Sequence, residues 1–207
     1  MVMSTSESEN ARLFGALPMV DEEANARLHA RLVAAAERDG VLDVAYRTIA
    51  TPVGELLLAM TGRGLVRVAY ASQGHDAVLA SLAQTVSPRV LRAPGQLDQV
   101  SRQLDEYFAG RRTAFDLPLD FRLAAGFRRA VLDHLPVIPY GQTESYAQVA
   151  AAVGSPKAVR AVGTACAKNP VPIVVPCHRV VRSDGTAGGY AGGPDAKDAL
   201  LALESAA

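Results

Sequence analysis

The chain of 207 residues has no tryptophan and only two cysteines, Cys166 and Cys177. Two thiols do not make a disulfide framework, and so few fit a protein of the reducing cytoplasm. No apolar run approaches the roughly 18 residues that would suggest a membrane span, so no membrane partner is expected. The opening MVMSTSESENARLF has no basic flank leading into an apolar stretch, and no signal peptide is expected. Neither sign of charge dominates: 21 basic residues face 21 acidic ones, which argues against a general polyanion binder. Internal repeats, low-complexity tracts and paired Cys or His motifs of metal-ligand spacing are also lacking, so neither a metal nor a cofactor is expected.

What is present is ordinary globular material: 49% apolar and 20% charged residues, in a chain long enough for one large domain or two small ones. The expected class is α+β. A small N-terminal domain with an antiparallel sheet and helices precedes a mostly helical C-terminal domain with a helix-turn-helix motif. The boundaries fall at 1–40 for a partly helical extension, 41–120 for the α+β domain and 121–207 for the helical one. Residues 1–20 read as polar and irregular. Asp21 to Arg38 reads as a helix with Leu28, Leu32, Val33 and Ala36 on one face and Gly40 as its stop. VAYRTIA, ELLLAMT and LVRVAY, separated by TPVG and GRG, read as a meander over 44–70. His75–Val86 and Gln96–Ala109 follow as helices, the second with Leu97, Val100, Leu104, Tyr107 and Phe108 inward. FDLPLDF, 115–121, is a last strand or an extended linker. Phe127, Val131, Leu132 and Leu135 mark another helix, which VIPYG ends.

Two short helices then follow closely. Ser145 is a good N-cap for a helix from Tyr146 to Val153, and Gly154 breaks it. Ser155 is expected to cap the next helix, with Pro156 in its first position, running to about Lys168. Val159, Val162, Gly163 and Cys166 would face inward, with Lys157, Arg160 and Thr164 on the opposite side. This is the plan of a helix-turn-helix. The second helix is built from small residues: Ala158, Ala161, Gly163, Ala165 and Ala167. It has few long side chains to read base edges and would meet DNA by close backbone approach, with little sequence preference. Between Tyr146 and Arg182 lie Lys157, Arg160, Lys168, Arg179 and Arg182 with no acidic residue, a basic surface or simply a solvated one. Cys166, on the apolar stripe, reads as inert core.

The run IVVPCHRVV, 173–181, leaves more than one role open for Cys177. A lone buried cysteine is the default, a metal site lacks ligands, and an adjacent histidine in an extended segment points away from the sulfur unless a water bridges them. Three features favour a nucleophile. The arm NPVPIVVP is stiff, His178 and Arg179 can stabilise a thiolate, and the loop GTAGGYAGG, 185–193, lets backbone approach a flat ligand closely.

These residues resemble the O6-alkylguanine-DNA alkyltransferases, also called methylated-DNA–protein-cysteine methyltransferases. The resemblance runs through IPYGQTESYAQVA, GSPKAVRAVGTACAKNPVPIVVPCHRVV, and GYAGG with the downstream Lys197, about residues 125–204. It implies DNA repair by direct, stoichiometric transfer of a methyl or larger alkyl group from O6-alkylguanine, and from O4-methylthymine, in duplex DNA to Cys177. The base would be flipped and the monomeric protein inactivated irreversibly. In that reading His178, through a water, and Glu204 hold Cys177 as thiolate, and Asn169 braces the turn before the arm. Tyr146 donates a proton toward the guanine and crowds the 3′ phosphate. Arg160 fills the vacated stack, with Ser145, Lys157, Thr164 and Arg179 also at the DNA. The carbonyls of Cys177 and Val180 accept from the guanine amino group. Tyr190, Ala191 and Gly192 wall the pocket, with Lys197 nearby.

Some positions depart from the family pattern. Leu132 stands where tryptophan is common and Arg128 where glutamine is common, both read as structural. Ala191 replaces a serine of some relatives, which implies a shifted alkyl range. The zinc site of some relatives has no counterpart. Three other readings remain: a reader of alkylated bases that does not repair them, a cysteine hydrolase, and a helix-turn-helix regulator with a structural Cys177.

Overall fold

The computed structural model describes residues 21–206. The expectation for 1–20 lies outside them. The chain forms two compact units, one ending at Val41 and the other Leu42–Ala207. In the first, α1 (Glu22–Arg38) is capped by Asp21, whose carboxylate accepts from the backbone N–H of Glu23 and Ala24. None of its residues is buried, and Leu28 and Leu32 are exposed.

The second unit opens with β1 (Val44–Ile49), β2 (Leu56–Thr61) and β3 (Gly64–Tyr70), an antiparallel meander. After α2 (His75–Thr85), the three-residue strand β4 (Val90–Arg92) returns to the far side of β1 and pairs with it in parallel. The sheet order is β3-β2-β1-β4. The chain then enters α3 (Asp98–Phe108), whose inner face buries Val100, Leu104 and Tyr107. FDLPLDF proves to be an extended linker with a single bridge, Leu119 to Leu65.

β3 is the sheet edge, and it is covered. Leu65 N–H donates to the Pro118 carbonyl at 2.8 Å, and Val68 N–H donates to the Pro170 carbonyl at 2.8 Å. Pairing an edge with proline-bearing segments satisfies its donors without offering new ones. Gly64 makes the approach possible, because a Cβ there would lie 2.2 Å from the Pro118 carbonyl oxygen. The sheet therefore holds the segment that leads to Cys177.

The rest is helical: α4 (Gly126–His134), the two-residue strand β5 (Glu144–Ser145), α5 (Tyr146–Ala152), α6 (Val159–Ala167), the two-residue strand β6 (Val180–Val181) parallel to β5, and α7 (Gly193–Ser205). Ser145 forms a full capping box with Gln148 at the start of α5. Gly154, at φ +72°, turns the chain. The expected cap at Ser155 is not made. Residues 155–158 form a separate turn closed by Ala158 N–H to Ser155 carbonyl, and α6 starts at Val159 with no side-chain cap. Pro156 suits such a turn as well as it suits a first helical position. Val159, expected inward, is exposed in that uncapped first turn, whereas Val162, Ala165 and Cys166 are buried. No helix among the described residues is long and apolar enough to cross a membrane.

Candidate active site

Every residue from Asn169 to Val181 is buried. The prolines at 170, 172 and 176 need no N–H partner, and Asn169 satisfies much of what remains. Its Oδ1 accepts from Val171 N–H at 3.0 Å, and its Nδ2 donates to the Val175 carbonyl at 2.8 Å and to Cys177 Sγ at 3.1 Å. A turn closed by Val175 N–H to the Val171 carbonyl lies between, with Ile173 at φ +73°. A β-branched residue in the left-handed region is strained, and here its side chain is sealed in the core. Asn169 thus fixes the arm and its sulfur together.

Cys177 is only 2% exposed. Burial pushes its thiol up to about 11, against the Asn169 hydrogen bond and the Lys197 charge, which favour the thiolate. Burial thus works against the thiolate that the resemblance implies, and Asn169 and Lys197 work for it. The thiol must lose its proton as it reacts.

The group that can take that proton is His178, and it is anchored on Glu204, buried on the last helix. Its Oε1 accepts from Tyr107 hydroxyl at 2.7 Å, His178 Nε2 at 2.8 Å and Arg179 Nη2 at 2.9 Å. Its Oε2 accepts from Arg179 Nε at 2.8 Å and Gly141 N–H at 3.2 Å. Burial works to raise the Glu204 carboxyl, but the bonds from His178 and Arg179 outweigh it and hold it down to about 2. Against a carboxylate, Nε2 carries the imidazole hydrogen. Nδ1 is left as a buried acceptor with no partner among the described residues. Burial also pulls His178 below its ordinary value despite Glu204, so the ring is neutral at neutral pH. The pair is a base with one end anchored and the other free.

Arg179, expected among DNA-contacting residues, is buried in this network and also donates to the Ile138 carbonyl at 2.6 Å. Its neighbourhood in sequence suggested a surface, but its two bonds to Glu204 draw it inward. Lys157, Arg160 and Thr164 are exposed along the outer side of α6 and its preceding turn, with Lys168 and Arg182 also exposed. Ser145 spends its hydroxyl on the capping box.

Two tyrosines near this arm are set against glycines of the loop that follows it. A Cβ on Gly188 would lie 2.2 Å from Tyr146 hydroxyl, so the loop backbone rests on that phenol. Burial raises the Tyr146 pKa, which keeps it protonated and a donor. On the other side of its ring, Gly163 of α6 leaves 3.9 Å of room. Tyr190 is held through Tyr70, and burial raises its pKa well above the ordinary value. Ala191 is half-buried, and Gly192 caps α7. Lys197 Nζ donates to the Val180 carbonyl at 2.6 Å, and Val180 N–H donates to the Cys177 carbonyl. Each carbonyl expected to accept from a base therefore already accepts one bond and has one lone pair left.

Two contributors escaped the sequence reading. Tyr107 was legible only as an inward residue of its helix, and Tyr70 only as the end of a strand. A buried phenol needs a partner for its hydroxyl, which flags both but names neither partner.

Residues 126–206 match the family described as "6-O-methylguanine DNA methyltransferase, DNA binding domain", and residues 44–121 match its "ribonuclease-like domain". A methylated-DNA–protein-cysteine methyltransferase of Mycolicibacterium paratuberculosis is 42% identical over 161 residues, covering 78% of this chain and 92% of that one. The constitutive methylated-DNA–protein-cysteine methyltransferase of Bacillus subtilis is 44% identical over 160 residues, with 77% and 94% covered. Among solved structures, Mycobacterium tuberculosis O6-methylguanine methyltransferase superposes with a TM-score of 0.70 at 40% identity, covering 79% and 93%. Mycobacterium tuberculosis OGT in complex with DNA gives 0.68 at 40% identity, with 78% and 93% covered.

Proposed function

The chain belongs to the 6-O-methylguanine DNA methyltransferase family, and on that premise we propose that it repairs DNA by moving an alkyl group from guanine O6 onto Cys177. One observation carries the assignment to that sulfur. Cys177 Sγ is fixed by Asn169, and the adjoining His178 has Nε2 anchored on Glu204 and Nδ1 free.

The reaction is a single in-line displacement. The thiol gives its proton to His178 Nδ1 through a bridging water, and the sulfur attacks the alkyl carbon. The C–O bond breaks as the S–C bond forms, and Tyr146 protonates the departing guanine. The imidazolium is stabilised by the Glu204 carboxylate. Forming the anion only in contact with substrate avoids exposing a reactive thiolate at rest. The product is a thioether with no good leaving group, so each molecule acts once.

The target atom lies inside the duplex, and the base is extruded to reach the sulfur, at roughly a few kcal/mol. Exposed Arg160 stands where a side chain can enter the vacated stack, and the small residues of α6 let its backbone approach the groove closely. Cys177 is buried, so admitting the base requires movement, and the glycine-rich loop Gly188–Gly192 is the segment we expect to give way. O6-alkylguanine is the substrate class, with O4-methylthymine as a second, and the protein works as a monomer in the cytoplasm. Tyr190, Ala191 and Gly192 wall the pocket.

Intact mass after mixing with duplex DNA that carries O6-methylguanine tests the reading. The chain is expected to gain one methyl in place of a hydrogen, and Cys177→Ser none. Binding without mass gain, or a gain that survives in Cys177→Ser, overturns it.

A further inference from the structure

Tyr70 ends strand β3, far in sequence from the residues around Cys177, yet its buried side chain reaches the glycine-rich loop that follows them. Its hydroxyl lies 3.0 Å from the Tyr190 hydroxyl. The two rings meet edge to face at 5.8 Å and 72°. Its ring also lies against Gly192, where a Cβ would sit 2.6 Å from the ring carbons. Tyr70 itself is not free to shift, because its backbone N–H donates to Gln73 Oε1 at 3.1 Å and its strand is paired with β2. Tyr190 in turn sets its ring edge-on to His178 at 6.3 Å.

The loop is therefore pinned at two points. One is Tyr146, which belongs to the helical part and faces Gly188. The other is Tyr70, which belongs to the sheet. We infer that Tyr70 is a specificity-determining residue: by fastening Tyr190 and Gly192 it fixes the depth of the pocket opposite Cys177 and disfavours bulky alkyl groups. The inference rests on the proposed transfer to Cys177. A methyl group adds little beyond the volume of the base. A benzyl group must push the wall outward, and the contact between the two hydroxyls is what resists.

Single-turnover transfer from duplexes carrying O6-methylguanine or O6-benzylguanine tests this. Tyr70→Phe keeps the ring against Gly192 and removes only the hydroxyl contact. It is expected to raise the benzyl-to-methyl rate ratio about fivefold, the factor a hydrogen bond of ordinary net strength represents. Tyr190→Phe breaks the same contact from the other side and should give the same ratio, with the double variant no further changed. An unchanged ratio, or single effects that multiply in the double variant, overturns the inference. A second readout does not depend on DNA: modification of Cys177 by iodoacetamide, located by peptide mass, should quicken about fivefold in Tyr70→Phe. Equal rates overturn the pinning role. Failure of the wild-type chain to take any alkyl group from DNA would instead overturn the proposed function, while the thiol readout still judges Tyr70.

Discussion

Asn169 concentrates more of the site in one side chain than any other residue of the arm. Its three bonds hold both ends of the turn and the sulfur. Asn169→Ala leaves the Val171 N–H and the Val175 carbonyl buried without partners, and the loss is expected to be about 2–4 kcal/mol by urea unfolding. The bond to sulfur strengthens as the thiolate forms, so the rate of alkyl transfer should fall by about tenfold or more, beyond what folding explains. A variant that loses stability but transfers at the wild-type rate would make Asn169 a brace only. At this scale the sequence was informative where chemistry is local. Cys177, His178 and Asn169 lie within one short run, and their spacing carries meaning. Glu204 was reached only through the family pattern. Tyr107 and Tyr70 were not reached, because each acts through a residue roughly a hundred positions away, and neither helix periodicity nor strand alternation says which residue that is.

Among elements, α6 and the glycine loop enclose Tyr146 from two sides, and the two faces differ in tightness. At Gly163 a Cβ would meet the ring at an ordinary 3.9 Å. Gly163→Ala is therefore expected to stabilise α6 by about 0.5–1 kcal/mol in urea unfolding, the helix propensity difference, without displacing the Tyr146 ring. At Gly188 the same methyl would overlap the phenol oxygen. Gly188→Ala must displace Tyr146 or the loop, and transfer should slow at least tenfold while thermal unfolding shifts by only a few degrees. Equal behaviour of the two variants would show that Tyr146 is not held between them. Elements were legible where apolar periodicity is strong, as for α3 and α4, and where a side-chain cap marks the start, as Ser145 does for α5. Legibility failed at the start of α6, where serine and proline serve a turn as readily as a helix. β4 escaped because three residues carry no alternation and its pairing with β1 is a non-local choice.

For the unit Leu42–Ala207, Glu204 is where the separate parts meet. It binds α3 through Tyr107, the segment after α4 through Gly141, and the turn after Cys177 through His178 and Arg179. Its carboxyl is held down to about 2 from an ordinary 4.5. Between those two values the unfolded chain binds more protons than the folded one, so stability falls as pH falls. The contribution is fully present above about pH 4.5 and is lost on approach to pH 2, on the order of 3 kcal/mol in all. His178, pulled below its ordinary 6.5, acts in the same direction but earlier, as pH drops through that value. Glu204→Gln leaves Arg179 buried beside a neutral amide and should cost about 3–5 kcal/mol at pH 7. Other depressed carboxylates, such as Asp120 and Asp184, are common to both proteins and cancel in the difference. Urea unfolding of wild type and Glu204→Gln at several values from pH 7 to 3 should therefore give two curves that converge toward acid, because the wild type loses what the variant never had. Parallel curves would mean that the carboxylate is not what ties these elements together, and the relay behind Cys177 would lose its anchor.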